Sequence, residues 1–261
     1  RLAPDTGLHT TVLALAAPAG GGMPRQRLLA TRDGHAWYGG PQGLFRIDTR
    51  GELQPVGPPE PVMSLHQDHT GRLWVGRRDG LHRLHSNGQE LVRAWPEQAP
   101  SDRQEVRALV EAADHRLWFS VYGRGLRRFD PATGQVETVH EEPGIEAGLP
   151  DDSVAALMVD RGGMLWVGGQ FRGVSITDPR GSRFRYVFDA QDGAANNPAA
   201  DDSIRTVAED GHDAGILWMG TDNGRLLRYE TVTGRFVDVT AAPPSTEPPL
   251  LVTPFPRARG E

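Results

Sequence analysis

The chain has 261 residues and a formal net charge of −6, it contains no cysteine, and its only strongly basic side chains are arginines. The absence of cysteine excludes disulfides and thiolate ligands, and the absence of lysine excludes Schiff-base and P-loop chemistry. Scattered arginines on an acidic chain argue against a nucleic-acid partner. The content of glycine (32) and proline (21) is typical of many short strands joined by turns.

Both ends of the chain differ in composition from the middle. Residues 1–26 form an N-terminal segment, in which residues 8–16 could be a strand that closes a ring of sheets. Residues 11–19 are apolar, but they lack a basic flank beyond Arg1, which favours a strand over a signal sequence. Residues 241–261 are proline-rich and form either a tail or the start of a further blade. No apolar run reaches the length of a membrane span, so we expect no membrane contact by this segment.

One pattern recurs five times between these ends: a polar turn, an aromatic strand, a glycine-containing turn and a second strand. Each copy carries a tryptophan at the same place, and the copies are spaced by roughly 40–50 residues, the size of a propeller blade. Tryptophan at a fixed place in a blade is expected to pack between blades rather than bind a sugar. The five structural tryptophans are Trp37, Trp74, Trp118, Trp166 and Trp218.

The third copy predicts the plan of one blade. Residues 106–111 form an inner strand, a tight turn follows, and the tryptophan strand comes next, with a small residue two places on that permits close approach of backbones. A loop ending in glycine leads to a third strand of alternating polarity, and a frayed outer strand completes the unit. The sequence therefore predicts an all-β fold, a β-propeller of four-stranded blades with about five complete repeats over residues 27–240. The five repeats are either a small closed propeller or a piece of a larger one.

The stretch from Val106 to Gly134 resembles the two-component regulator propeller repeat, Val-x-x-Leu-x-x-Asp-x-x-Gly-x-Leu-Trp-Val-Gly followed by Gly-Leu-x-Arg-Phe-Asp-Pro-x-Thr-Gly. The resemblance covers roughly residues 27–240. In that family the propellers form extracytoplasmic sensors of bacterial receptors, followed by a transmembrane helix and a histidine kinase or diguanylate cyclase. This chain has fewer repeats, and it carries no immunoglobulin-like module and no transmembrane segment. The resemblance implies a periplasmic sensor domain, part of a membrane-anchored receptor.

The loops between the tryptophan strand and the third strand differ most among the copies, and variable loops on a constant scaffold are common binding sites. Two of them combine an aromatic residue with arginine, which suits an anionic or sugar-like ligand. The predicted ligand-binding residues are Arg77, Arg78, Tyr122, Arg124, Gln170, Phe171, Arg172, Asp222 and Asn223.

Other polar or aromatic groups are read as structural or left open. The Asp-Asp-Ser linkers at residues 151–153 and 201–203 invite a calcium or acid–base role, but hydrogen bonds to the local backbone are the favoured interpretation. His66 and His69 would point to opposite faces of a strand, so no metal site is expected. Trp95 lies outside the repeat and could bind a partner from a connecting loop.

These observations favour a sensor domain that binds a small molecule or oligosaccharide without turnover, and that uses no cofactor. One alternative is a propeller enzyme, such as a lyase acting on a glycan or cyclic peptide, which would require histidine and glutamate clustered on one loop face. The nine histidines look scattered in the sequence, so we expect no such cluster and no enzymatic activity in this chain. A second alternative is a protein-interaction scaffold. Unpaired strand edges would also permit a homodimer.

Overall fold

The structure, a computed structural model, describes most of the predicted repeat region and none of the two terminal segments. The roles predicted for residues 1–26 and 241–261 therefore fall outside it and stay predictions. The described residues are 27–48, 51–95, 104–140, 149, 151–171, 173–181, 184–188 and 203–240.

These residues form five four-stranded antiparallel sheets, each built from consecutive strands of the chain. The prediction of an all-β fold with four-stranded blades is confirmed. Blade 1 contains β1 (Arg27–Ala30), β2 (Ala36–Gly40), β3 (Gly43–Ile47) and β4 (Leu53–Val56); blade 2 contains β5 (Val62–Gln67), β6 (Leu73–Arg77), β7 (Gly80–Leu84) and β8 (Leu91–Trp95); blade 3 contains β9 (Val106–Glu111), β10 (Leu117–Val121), β11 (Leu126–Phe129) and β12 (Val136–Val139); blade 4 contains β13 (Val154–Val159), β14 (Leu165–Gly169), β15 (Val174–Thr177) and β16 (Phe184–Phe188); blade 5 contains β17 (Ile204–Glu209), β18 (Ile216–Thr221), β19 (Leu226–Glu230) and β20 (Arg235–Asp238).

The blades follow one another in chain order, and the core lies between them. The inner strands contact their neighbours in the order β1, β5, β9, β13 and β17. The second strands of blades 2, 3 and 4 are buried along their whole length, because a neighbouring blade covers each face. In the described part of the chain, no sheet joins blade 1 to blade 5, and no helix is long and apolar enough to cross a membrane.

Two of the repeat tryptophans, Trp74 and Trp166, pack against an aromatic ring of the next blade. Trp74 meets Phe129 of blade 3 edge-on, with ring centroids 5.9 Å apart, and Trp166 meets Tyr229 of blade 5 in the same way at 5.9 Å. Trp218 is only half-buried, since no described blade follows the fifth. Trp74 and Trp166 are therefore part of the packing between blades.

Glycine two residues after the tryptophan allows the close approach that the sequence predicts. A Cβ atom on Gly76 would lie 2.5 Å from the carbonyl oxygen of Val106, on the next blade. A Cβ atom on Gly168 would lie 2.9 Å from the Ile204 side chain. Blade 3 has Ser120 at this place, and its buried hydroxyl accepts a hydrogen bond from the Ala108 amide at 3.0 Å. The blades are therefore packed too closely here for larger side chains.

An aspartate that ends the inner strand anchors the tryptophan of its own blade. The indole Nε1 of Trp74 donates to Asp68 at 2.8 Å, and that of Trp166 donates to Asp160 at 2.7 Å. Asp68 also accepts the amides of Thr70 and Arg72. Burial opposes ionisation of Asp68, but these hydrogen bonds outweigh it and lower its pKa. The turn and the tryptophan are thus held by one carboxylate.

A second recurring contact joins each of three turns to the following blade. The amide of Arg32 donates to Gln67 at 2.9 Å, and the amide of Arg161 donates to Glu209 at 3.0 Å. The amide of His69 donates in the same way to Glu111 at 2.6 Å. The acceptor is always the last residue of the next inner strand, so the blades are linked at this end by hydrogen bonds as well as by packing.

Candidate functional site

The inner strands of blades 2 to 5 begin with an irregularity in their pairing with the second strand. In blade 5, Ile204 pairs with Thr221 and Thr206 pairs with Gly220, so Arg205 is an extra residue in the register. Arg107 lies in the corresponding bulge of β9, where pairing shifts between Phe119 and Val121. Bulges of this kind re-aim side chains next to functional sites.

All five inner strands line a common cavity of about 270 Å³, here called the axial cavity. Three arginines contribute to its wall: Arg27 from blade 1, Arg107 from blade 3 and Arg205 from blade 5. Burial lowers the pKa of Arg27, but arginine remains charged under ordinary conditions. A chain of net negative charge thus places three guanidinium groups in the wall of its central opening.

Two of these arginines are held by neighbours at the mouth of the cavity. The Arg107 guanidinium lies 3.3 Å from the ring centroid of Tyr122, and its Nε lies 3.1 Å from Glu105. Arg205 contacts Asp222 at 2.9 Å. Burial works to raise the pKa of Asp222, but hydrogen bonds from Ser203 and Arg205 lower it overall, so the carboxylate is charged. The arginines are therefore positioned in advance, with donors left over for a ligand.

The loops predicted to bind ligand all lie between the second and third strands, at the end of the blades where the inner strands begin. Phe171 is 63% exposed and Tyr122 is 39% exposed, although both are large and apolar in part. The remaining predicted residues of these loops are exposed or half-buried, and Arg172 lies outside the described residues. The loop residues with described positions are Arg78, Tyr122, Arg124, Gln170, Phe171, Asp222 and Asn223.

Arg77 differs from the other predicted binding residues. It ends β6, its side chain is buried, and its guanidinium forms ion pairs with Glu60 and Asp79. Asp79 also accepts a hydrogen bond from Arg93 at 2.6 Å. Nearby, burial lowers the pKa of His82 to about 4, so that side chain is neutral near pH 7. Arg77 is thus part of an internal polar cluster, which its sequence position in a variable loop does not indicate.

Trp95 and Asp151 have contacts that stabilise the fold. Trp95 is not in a loop, because it ends β8 and packs 5.2 Å from Phe119 of blade 3. Asp151 is buried and accepts hydrogen bonds from the amides of Ser153 (2.6 Å) and Phe171 (2.9 Å). The structural interpretation of the first Asp-Asp-Ser linker is confirmed, while Asp201 and Asp202 lie outside the described residues.

The expectation that histidine and glutamate do not cluster is wrong. His69, Glu111 and His115 come together at the opposite end of the blades from the mouth of the axial cavity. Glu111 and His115 belong to the same turn, whereas His69 lies forty-two positions before Glu111 and meets them because the turns of blades 2 and 3 are neighbours. Aligning the repeats by their tryptophans would have revealed that all three occupy the same turn region.

Comparison with known proteins gives matches among solved structures, whereas no family model and no curated protein matches the chain. The extracellular domain of the hybrid two-component system BT4673 of B. thetaiotaomicron aligns with a TM-score of 0.65 at 18% identity, covering 84% of this chain and 28% of that one. That of BT3049 from the same organism aligns with a TM-score of 0.64 at 18% identity, covering 81% and 28%. The chain shares their fold.

The same fold also occurs outside bacterial receptors. A chain of a mitotic checkpoint complex aligns with a TM-score of 0.56 at 18% identity, covering 88% of this chain and 76% of that one. At such identities the likeness extends to the fold, and function has to be argued from the site. The chain spans less than a third of the length of the two bacterial proteins, each covered to 28%.

Proposed function

We propose that this chain is an extracytoplasmic ligand-sensing domain of a bacterial two-component or diguanylate cyclase receptor. It would bind a small anionic molecule or an acidic oligosaccharide without turnover, in a periplasmic location. The observation that carries the proposal is the axial cavity, which collects Arg27, Arg107 and Arg205 from three different blades. The likeness to extracellular domains of two hybrid two-component systems supports the receptor context.

The chemistry of the cavity mouth suits a carboxylated sugar or organic acid. Guanidinium groups bind carboxylates through paired hydrogen bonds, and aromatic rings stack on the apolar faces of sugars. Arg107 and Tyr122 already lie against each other, and Phe171 presents an exposed ring from the next blade. A ligand that contacts both the guanidinium groups and the aromatic rings would be selected by its negative charge and by its shape.

A thermal-shift and calorimetry series tests this proposal. The purified chain is titrated with uronic-acid oligosaccharides, dicarboxylic acids and their neutral counterparts, and each stabilising compound is recovered for mass spectrometry. We expect an acidic compound to raise the melting temperature and to be recovered intact. Substitutions R107Q and R205Q should each weaken its binding at least tenfold, since each removes a charged contact worth about 1.5–3 kcal/mol. The matched control is R180Q, which removes an exposed arginine outside the cavity.

The other outcomes separate the alternatives. A stabilising compound recovered in altered form would contradict the sensor and favour the propeller enzyme. Binding that survives both R107Q and R205Q would place the site elsewhere and refute the role of the axial cavity. If no acidic compound raises the melting temperature or gives a calorimetric binding signal, the proposed ligand class is refuted and the protein-interaction scaffold is favoured. The homodimer stays a prediction, which sedimentation velocity of the same preparation measures.

A further inference from the structure

The turn after the inner strand of blade 3 has an unusual backbone. The corresponding turns of blades 1, 2 and 4 place glycine at a left-handed position, with φ of 84° at Gly34, 89° at Gly71 and 84° at Gly163. Blade 3 places His115 there, with φ of 62°, and it is the one non-glycine residue with positive φ among those described. Such a conformation is unfavourable for a residue with a Cβ atom, and strained residues of this kind concentrate at functional sites.

The strained turn brings His115 onto a second histidine and a carboxylate. The His115 and His69 rings are stacked, with centroids 3.7 Å apart. The Nδ1 atom of His69 lies 2.5 Å from a Glu111 oxygen, and the Nδ1 atom of His115 lies 3.7 Å from the same oxygen. Glu111 is nearly buried, whereas both imidazoles are open to solvent. Two imidazole nitrogens and one carboxylate oxygen thus converge within 4.8 Å of one another.

On two other blades, the place of His69 holds a side chain that does not bind metals. At the position of His69, blades 1 and 4 have Arg32 and Arg161, which reach the next blade through their own guanidinium groups. An arginine needs no third partner in such a contact, because it carries a fixed charge and several donors. Blades 2 and 3 have two histidines in place of that arginine, His69 and His115, and both lie beside the carboxylate of Glu111.

We propose that His69, Glu111 and His115 bind a divalent transition-metal ion that bridges blades 2 and 3. Zinc suits the set, since it takes histidine nitrogens and carboxylate oxygens at about 2.0–2.2 Å, with ligand atoms therefore roughly 3.3 Å apart. The two nitrogen–oxygen separations from Glu111, 2.5 Å and 3.7 Å, bracket that value. Three protein ligands leave a fourth position facing solvent, as in zinc sites that hold a water molecule. The site lies at the far end of the blades from the axial cavity, so its occupancy does not depend on the proposed sensor function.

The test uses zinc itself as the probe. Isothermal titration calorimetry of the chelator-treated chain should give one saturable Zn²⁺ site, and Co²⁺ should give the visible absorption bands of a low-coordinate nitrogen–oxygen site. H115G and H69Q should each weaken Zn²⁺ binding at least tenfold. H115G is the sharper variant, because glycine accepts the left-handed backbone without strain, and its melting temperature without metal should not fall. The matched control is H35A, which removes the half-exposed His35 beside Asp33 in the turn of blade 1 and should leave binding unchanged.

Each remaining outcome overturns the proposal. Absence of a saturable Zn²⁺ site in the folded chain would mean that the three side chains form only a hydrogen-bonded ion pair. Zn²⁺ binding of equal strength in H69Q and H115G would place the metal at other residues. A rise in melting temperature with Zn²⁺ that H115G retains in full would lead to the same conclusion.

Discussion

Blade 3 lacks the aspartate that anchors the tryptophan in three other blades, and restoring it should stabilise the protein. Ala112 stands where blades 2, 4 and 5 have aspartate, six residues before the tryptophan in blades 2 and 4. Trp118 is 2% exposed, and its indole Nε1 has no hydrogen-bond partner among the described residues. The A112D substitution would supply that partner, as Asp68 does for Trp74 at 2.8 Å.

The size of the effect follows from three contributions. A buried donor without a partner costs about 1–3 kcal/mol, and a hydrogen bond to a charged group contributes about 1.5–3 kcal/mol. Desolvation of the new carboxylate opposes this gain, but Asp68, which is 2% exposed, shows that the amides of Thr70 and Arg72 stabilise a buried carboxylate at the equivalent place of blade 2. The net increase in the free energy of unfolding should be about 1–2 kcal/mol. At this chain length each kcal/mol corresponds to about 2–4 °C in melting temperature.

The assay is equilibrium denaturation of a double-mutant cycle. Wild type, A112D, W118F and A112D/W118F are unfolded in urea, and the coupling energy between the two positions is calculated. We expect A112D to stabilise the wild type and to lose most of that effect in the W118F background, where no indole donor remains. A destabilising A112D, or a gain that is unchanged by W118F, would refute the role of the unpaired indole.

The remaining predictions concern close packing and acid stability. G76A should lower the free energy of unfolding by about 3 kcal/mol, since its new Cβ would lie 2.5 Å from the Val106 carbonyl oxygen. The control G211A, whose new Cβ would have no atom within 4 Å, should change that free energy by less than about 1 kcal/mol. Equal stabilities of the two variants in urea unfolding would contradict the packing argument. Hydrogen bonds from the Trp218 indole and from the amides of His212 and Asp213 lower the pKa of Asp210 to about 2, below its ordinary 3.8. The stabilisation by this carboxylate is therefore complete above about pH 4 and is lost as the pH falls toward 2. The stability difference between wild type and D210N should shrink over that window in pH-dependent thermal unfolding, and a constant difference would refute the assignment.

The order of strands in a blade was predictable because the same pattern of strands, turns and tryptophan recurs in each repeat. The inner strand predicted at residues 106–111 matches β9, since an apolar run followed by a tight turn and a tryptophan strand admits few other structures. The packing of the tryptophans was predictable for the same reason. A pattern that recurs five times constrains the fold more than any single segment does.

The site was less predictable, because its geometry depends on register and on contacts between blades. Arg107 and Arg205 reach the axial cavity through bulges, and a bulge shifts the alternation that sequence reading assumes. The place of Arg77 near a variable loop predicts ligand binding, but Glu60, seventeen positions earlier, pairs with it. His69 and Glu111 lie in different repeats, forty-two positions apart, and only stacking of the blades makes them neighbours.

The order of contacts has a consequence for how a signal could pass through the molecule. Among the described residues, the inner strands touch mainly the strand before and the strand after, so these blades form a linear series of interfaces. In such a series, substitutions in blades that do not touch should be additive, and coupling should be confined to neighbours. A molecule in the axial cavity would contact Arg27 and Arg205 of the first and fifth blades at once. Occupancy would then couple blades 1 and 5, which no sheet joins in the described part of the chain.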